Sequence, residues 1–189
     1  MKNYYLNSLK YIKDNQKALI KDAELCNDRF KLNFKDQTSS TWYYRYYNFA
    51  SLSVGTKYYY VFKELQKIIR KFVKHDKPLW YQCWLNFDYQ DKILKWHNHI
   101  ESDYHGYISI RPHKTETEFK EYTIKNKVGN IYIGNSYMKH RVNVIKPFNT
   151  PRITLGFDIV SEKSIKYLYK KYGKIDINTA FIPIYETNR

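Results

Sequence analysis

The stretch Pro151-Arg152-Ile153-Thr154-Leu155-Gly156-Phe157-Asp158-Ile159 decides the fold class. Between Pro151 and the polar run that starts at Ser161, branched and aromatic residues dominate, which is the composition of a short strand packed in a core. Working outward, the same character reaches back to Pro78, in short runs separated by polar or Gly/Pro/Asn punctuation. The strands expected are Leu79 to Phe87, Ile93 to His99, Gly106 to Arg111, Tyr122 to Ile124, Asn130 to Ile133, Arg141 to Ile145 and Arg152 to Ile159. Seven short strands in roughly 80 residues predict a mainly β fold with flanking helices, its antiparallel sheets wrapped as a jelly roll, a cupin-like double-stranded β-helix.

The flanks read differently. From Leu6 to Leu25, Leu9, Ile12, Ala18, Leu19 and Ala23 recur at loose helical spacing, and a polar stretch, Asp36 to Ser40, breaks the pattern. From Lys57 to Lys74, Val61, Phe62, Leu65, Ile68, Ile69, Phe72 and Val73 fall on one helical face with lysines and Arg70 opposite, so this helix should lie against a sheet. A closing helix is expected after Ser161 as N-cap, with Ile165, Leu168 and Tyr169 apolar and Gly173 as its stop. The 189 residues and a hydrophobic fraction of 43% suit one domain: 1–76 as helical support, 77–160 as the core, 161–189 as helix and tail.

Composition bounds the partners. No apolar run approaches the roughly 20 residues that span a bilayer, and Met1 to Asn7 lacks the apolar stretch of a signal peptide, so an intracellular, cytoplasmic protein with no membrane partner is expected. Cys26 and Cys83 form no metal-knuckle or disulfide spacing and read as small buried apolar residues. The net charge of +15 favours anionic partners such as nucleic acid. Joint richness in Lys, Asn, Tyr and Ile, with lysines spread along the whole chain, gives that charge a purely compositional origin as well.

The histidines are unevenly placed: four of six fall between His97 and His113, and His140 opens another strand. In Trp96-His97-Asn98-His99-Ile100-Glu101, an extended backbone puts His97, His99 and Glu101 on one side, where two can chelate one ion. Two imidazoles and a carboxylate on one face of an octahedron suit iron(II) and leave three positions open. Alone, the His-x-Glu tripeptide is weak, since such combinations arise by chance.

Context sharpens it. The segments Gly129-Asn130-Ile131-Tyr132-Ile133, His140-Arg141-Val142 and Arg152-Ile153-Thr154 resemble the second half of the 2-oxoglutarate and iron(II)-dependent oxygenase fold. Upstream, Trp84-Leu85-Asn86 followed by His97-Asn98-His99 resembles the Trp-x-Asn and His-x-His pattern of a phage and bacterial, prolyl-hydroxylase-like branch of that superfamily. The resemblance covers about residues 79 to 160. It implies a dioxygenase using iron(II), 2-oxoglutarate and O2, releasing succinate and CO2 while hydroxylating a C–H bond. It makes His140 the third metal ligand and Arg152 the partner of the far carboxylate of 2-oxoglutarate. A guanidinium binds a carboxylate through paired charge-assisted bonds, and the Thr154 hydroxyl, two residues on, shares its face.

The expected ligand set is therefore His99, Glu101 and His140, because it alone completes a carboxylate triad. In the similar branch the residue at the Glu101 position is often small, so His97 with His99 is the alternative. His105 and His113 read as polar strand-end residues and His75 as solvated. Asn86 and Tyr107 point either into the barrel or into ordinary packing. The aromatic patches Trp42 to Tyr47 and Tyr58 to Tyr60 suit core packing better than stacking on bases. The substrate stays open among a nucleic-acid base, a protein side chain and a small molecule. Two rivals stand beside the oxygenase: a basic jelly roll that binds nucleic acid without catalysis, and a metal-dependent cupin-like enzyme that takes no 2-oxoglutarate.

Overall fold

The computed structural model describes residues 3–33, 48–52, 55–73, 78–90 and 93–185. Its elements run β1 (Tyr4–Ser8), α1 (Lys10–Asn33), α2 (Phe49–Leu52), α3 (Tyr58–Val73), β2 (Leu79–Asp88), β3 (Tyr104–Arg111), β4 (Thr115–Phe119), β5 (Thr123–Lys125), β6 (Asn130–Asn135), β7 (His140–Val144), β8 (Arg152–Ser161), α4 (Glu162–Tyr172), α5 (Lys174–Ala180) and β9 (Ile182–Pro183). A six-stranded sheet ordered β1-β6-β3-β8-β2-β9 works with a three-stranded sheet ordered β5-β4-β7, and every pairing is antiparallel. The fold is mainly β with a double-stranded β-helix core.

The large sheet has two unlike faces, and the period of two along each strand separates them. Leu79, Tyr81, Cys83, Leu85 and Phe87 of β2, with Ile153, Leu155, Phe157 and Ile159 of β8, join Ile12, Leu19, Val61, Leu65 and Ile69 of α1 and α3 in one buried cluster. Each such aliphatic side chain contributes about 1.5–3 kcal/mol on burial, so the helices hold this face of the sheet shut. The intervening residues, Gln82, Trp84 and Asn86 on β2 and Arg152, Thr154, Gly156 and Asp158 on β8, line a cavity on the opposite face.

Several expectations shift on contact with the structure. No strand spans Ile93 to His99: the chain there is irregular and makes a single isolated bridge, His97 to His140. The expected first helix starts only at Lys10, because Tyr4–Ser8 pairs with β6 instead. Strand β4, Thr-Glu-Thr-Glu-Phe, was not expected: it buries Thr115, Thr117 and Phe119 and turns its two glutamates outward. Ser161 is the N-cap of α4, but its side chain makes no capping bond; Asp103 instead accepts from the Ser161 N–H at 2.5 Å and the Ser164 hydroxyl at 2.9 Å, placing a carboxylate at the positive end of the helix. Gly173, with φ 91°, ends that helix as anticipated. Asp36 to Ser40, Trp42 to Tyr47, Lys74 and His75 lie outside the described residues.

Candidate metal centre

His97 and His140 meet through a pair of reciprocal backbone bonds, His97 N–H to His140 carbonyl at 3.0 Å and His140 N–H to His97 carbonyl at 2.9 Å. The His99 N–H donates to the Ser136 carbonyl at 2.9 Å, so the turn before β7 and the segment before β3 are laced together. The outcome is a group of three imidazoles, His97, His99 and His140, whose ligand atoms all lie within 4.8 Å of one another.

Each ring is oriented through Nδ1. That atom of His97 lies 2.7 Å from the Lys95 carbonyl, that of His140 lies 3.1 Å from the Met138 carbonyl, and that of His99 lies 2.8 Å from Asp158 Oδ1, the last contact bent away from ideal hydrogen-bond geometry. With Nδ1 engaged, Nε2 is the atom each ring has left for a metal. Burial, then the neighbouring His97 and His99, hold the His140 pKa down to about 3, and burial likewise lowers that of His97. Neutral rings are the form a metal binds, and they need shed no proton first. Burial acts the same way on His99, but the negative charge of Asp158 beside it outweighs it and holds that imidazole above its usual value.

The expected ligand Glu101 does not join this group. After His99 the chain leaves the extended form and turns through Ile100 and Glu101, so the two-residue alternation that would aim Glu101 beside His99 stops there. Its carboxylate instead accepts from the Tyr172 hydroxyl at 2.6 Å and pairs with Lys171 at the end of α4. Of the two ligand sets read from the sequence, the structure gathers the one containing His97.

His105 was read as a strand-end residue, yet it is only 1% exposed. Its ring stacks on those of His99 and His140 at centroid distances of 4.7 and 4.5 Å, and burial followed by the nearby His140 keeps its pKa well below normal. The Trp84 ring lies against His99 at 5.9 Å, and Gly156 makes room for it: a Cβ there would come within 2.7 Å of the indole. Asn86 and Tyr107 both face the cavity.

Farther along the same wall, Arg152 is 2% exposed and Asp88 1%, and Arg152 donates through Nη1 to Asp88 Oδ2 at 2.8 Å. Asp88 sits directly across the β2–β8 ladder from Arg152, as Asn86 does from Thr154. Burial raises the Asp88 pKa while Arg152 opposes the rise. Arg152 Nε, Asp88 Oδ1, Thr154 Oγ1 and Ser109 Oγ are buried without hydrogen-bond partners. The cavity, about 530 Å³, takes in the three histidines at one part and Arg152 and Thr154 at another; Leu168, Ile177, Ala180 and Phe181 of the α4–α5 region form an apolar wall. A small organic ligand of ordinary size fits such a volume.

No protein-family model matches the chain, and no curated protein matches it by sequence. Among solved structures, a prolyl 4-hydroxylase from Phytophthora capsici matches 86% of this chain and 60% of its own, with a TM-score of 0.59 and 12% identity. The non-haem α-ketoglutarate-dependent epimerase SnoN of nogalamycin biosynthesis matches 84% of this chain and 78% of its own, with a TM-score of 0.57 and 7% identity. These likenesses establish the fold. A 2OG-Fe(II) oxygenase family oxidoreductase from Burkholderia pseudomallei shares only about half of each chain, 50% of this one and 51% of its own, at a TM-score of 0.42 and 10% identity. No helix among the described residues is long and apolar enough to cross a membrane.

Asp158 and Asp88 go unread in the sequence. Asp158 had a signal: it continues the alternation Arg152-x-Thr154-x-Gly156-x-Asp158 along one face of β8. Asp88 had none, because its meeting with Arg152 depends on strand register.

Proposed function

We propose that this protein is an iron(II)-dependent dioxygenase of the 2-oxoglutarate-using kind, with His97, His99 and His140 as metal ligands and Arg152 and Thr154 serving the co-substrate. The observation that carries the reading is the gathering of three mutually close imidazoles, each steered through Nδ1, in a cavity lined also by the buried Arg152 and Thr154. The donor set fits iron(II), for which imidazole is a suitable ligand, and three protein ligands would leave positions for co-substrate and oxygen.

Iron(II), when bound with 2-oxoglutarate, supplies the oxidising chemistry with O2 that releases succinate and CO2. The chain's own residues do the rest. The His97–His140 bridge sets two imidazoles side by side, their ring centroids 4.2 Å apart, and the carbonyls of Lys95 and Met138 keep their Nδ1 atoms occupied. Arg152 Nε and Thr154 Oγ1 offer unused donors to the far carboxylate of the co-substrate. Leu168, Ile177 and Phe181 keep water away from the substrate side and favour an apolar portion of the substrate there.

A second reading is favoured by one feature. Arg152 already has an anionic partner in Asp88, which gives the guanidinium a purpose without any co-substrate. On that reading the three histidines would hold a metal that supplies oxygen chemistry to a substrate bound directly, as in a cupin-like enzyme that takes no 2-oxoglutarate. The two separate in an anaerobic titration of the iron(II)-loaded protein with 2-oxoglutarate, followed by admission of air. Co-substrate use predicts a weak visible charge-transfer band and then succinate, both lost in the Arg152→Gln, Asp88→Asn double variant. A metal-loaded protein that gives neither band nor succinate contradicts it and leaves the direct-substrate reading.

A further inference from the structure

Three imidazoles bring no charge to a divalent ion, whereas a set with one carboxylate brings one negative charge. A carboxylate does stand at the cluster, one step outside it. Asp158 Oδ1 lies 2.8 Å from His99 Nδ1, with the two side chains 13% and 14% exposed. Asp158 is carried on β8, between Gln82 of β2 and His105 of β3 in the register of the large sheet, so its backbone is fixed by ladders on both sides. His99, by contrast, sits in an irregular segment. The rigid partner therefore orients the looser one.

Asp158 is also poorly served by the protein itself. Among the described residues it pairs with no lysine or arginine, and Oδ1 makes no regular hydrogen bond. A largely buried carboxylate answered by an imidazole alone is costly to keep. A cation on the far side of His99 would offset that cost.

We propose that Asp158 is the positioning residue of the metal centre, holding His99 with Nδ1 protonated and Nε2 bare and lending the ion, through that ring, the negative charge its ligands lack. This rests on the three-histidine reading above. It gives the chain's departure from a direct carboxylate ligand a physical remedy: the charge is displaced outward by one imidazole, while all three direct contacts stay neutral. Carboxylate partners of metal-bound histidines fix the tautomer and raise the basicity of the ring, and their loss typically weakens metal binding by roughly 10–100-fold.

The test is a Co(II) titration of the intact protein, read by visible absorption, with three variants. Wild type binds one ion, His140→Ala binds it about a thousandfold more weakly, Asp158→Asn binds one ion roughly 10–100-fold more weakly, and Asp158→Glu, which keeps the charge, recovers part of that loss. Affinity in Asp158→Asn equal to that of the wild type overturns the proposal while leaving the metal centre standing. Equal behaviour of wild type and His140→Ala instead removes the metal centre itself. Long-range 1H–15N correlation spectra of the Zn(II)-loaded wild type supply a readout that does not depend on how the variants fold. His99 is expected as the Nδ1–H tautomer with Nε2 on the metal; the opposite tautomer overturns the proposal.

Discussion

Strand β8 carries two polar sites on one face, and they handle buried charge in opposite ways. Near Asp158 the surplus groups are imidazoles whose Nδ1 atoms are engaged and whose Nε2 atoms are left over, so the site is short of a cation. Near Arg152 cation and anion are both already present, in a pair that is almost wholly buried. A metal can enter the first site without displacing any bond. An anionic co-substrate entering the second must share Arg152 with Asp88, and two carboxylates at one guanidinium repel unless one takes a proton. The raised pKa of Asp88 lowers the cost of that protonation.

The contrast breaks most visibly at the metal. Removing one of three ligands, as in His140→Ala, should weaken Co(II) binding by about three orders of magnitude, given several kcal/mol per ligand; a titration showing less than a tenfold loss would place the ion elsewhere. At the Arg152 end the expected effect is on stability. Asp88→Ala strands a buried guanidinium and should cost about 3–5 kcal/mol in urea unfolding, whereas the double replacement Asp88→Ala, Arg152→Met should cost far less. Single and double variants that lose equal stability would show that the pair is not what Asp88 supplies.

Gly156 lies between the two sites along β8. A methyl group there meets the Trp84 indole, which backs His99, so Gly156→Ala should cost roughly 1–3 kcal/mol and also weaken Co(II) binding a few-fold. Undiminished stability would mean the indole moves freely. The smallest change is expected at Glu101. Its contact with Lys171 is partly exposed, so Glu101→Gln should change stability by less than about 1 kcal/mol and leave metal affinity within about twofold. A large loss of Co(II) binding in that variant would restore Glu101 as a ligand.

What the sequence disclosed follows from which features are local. The apolar face of α3 and the branched runs of β2 and β8 announce themselves through periodicity, and burial then does as periodicity predicts. Strand β4 stayed hidden because its outward positions are glutamates and its inward ones mostly threonines, a pattern with little apolar contrast. At the site, residue types were legible and geometry was not. His-x-His-x-Glu offers two choices of partner for His99, and the turn after His99, which carries Glu101 away from the imidazole group, is not written in that local pattern. The Asp88–Arg152 pair, separated by 64 positions, is a product of register that no local pattern encodes.

X-ray absorption at the metal edge of the protein loaded with iron(II) under anaerobic conditions tests the three-histidine centre most directly. Three imidazoles should appear in the scattering, with no protein carboxylate oxygen bound, and the count should fall to two in a His97→Ala variant that still retains metal. Two imidazoles and a carboxylate in the native protein, unchanged by His97→Ala and altered by Glu101→Gln or Asp158→Asn, would contradict it.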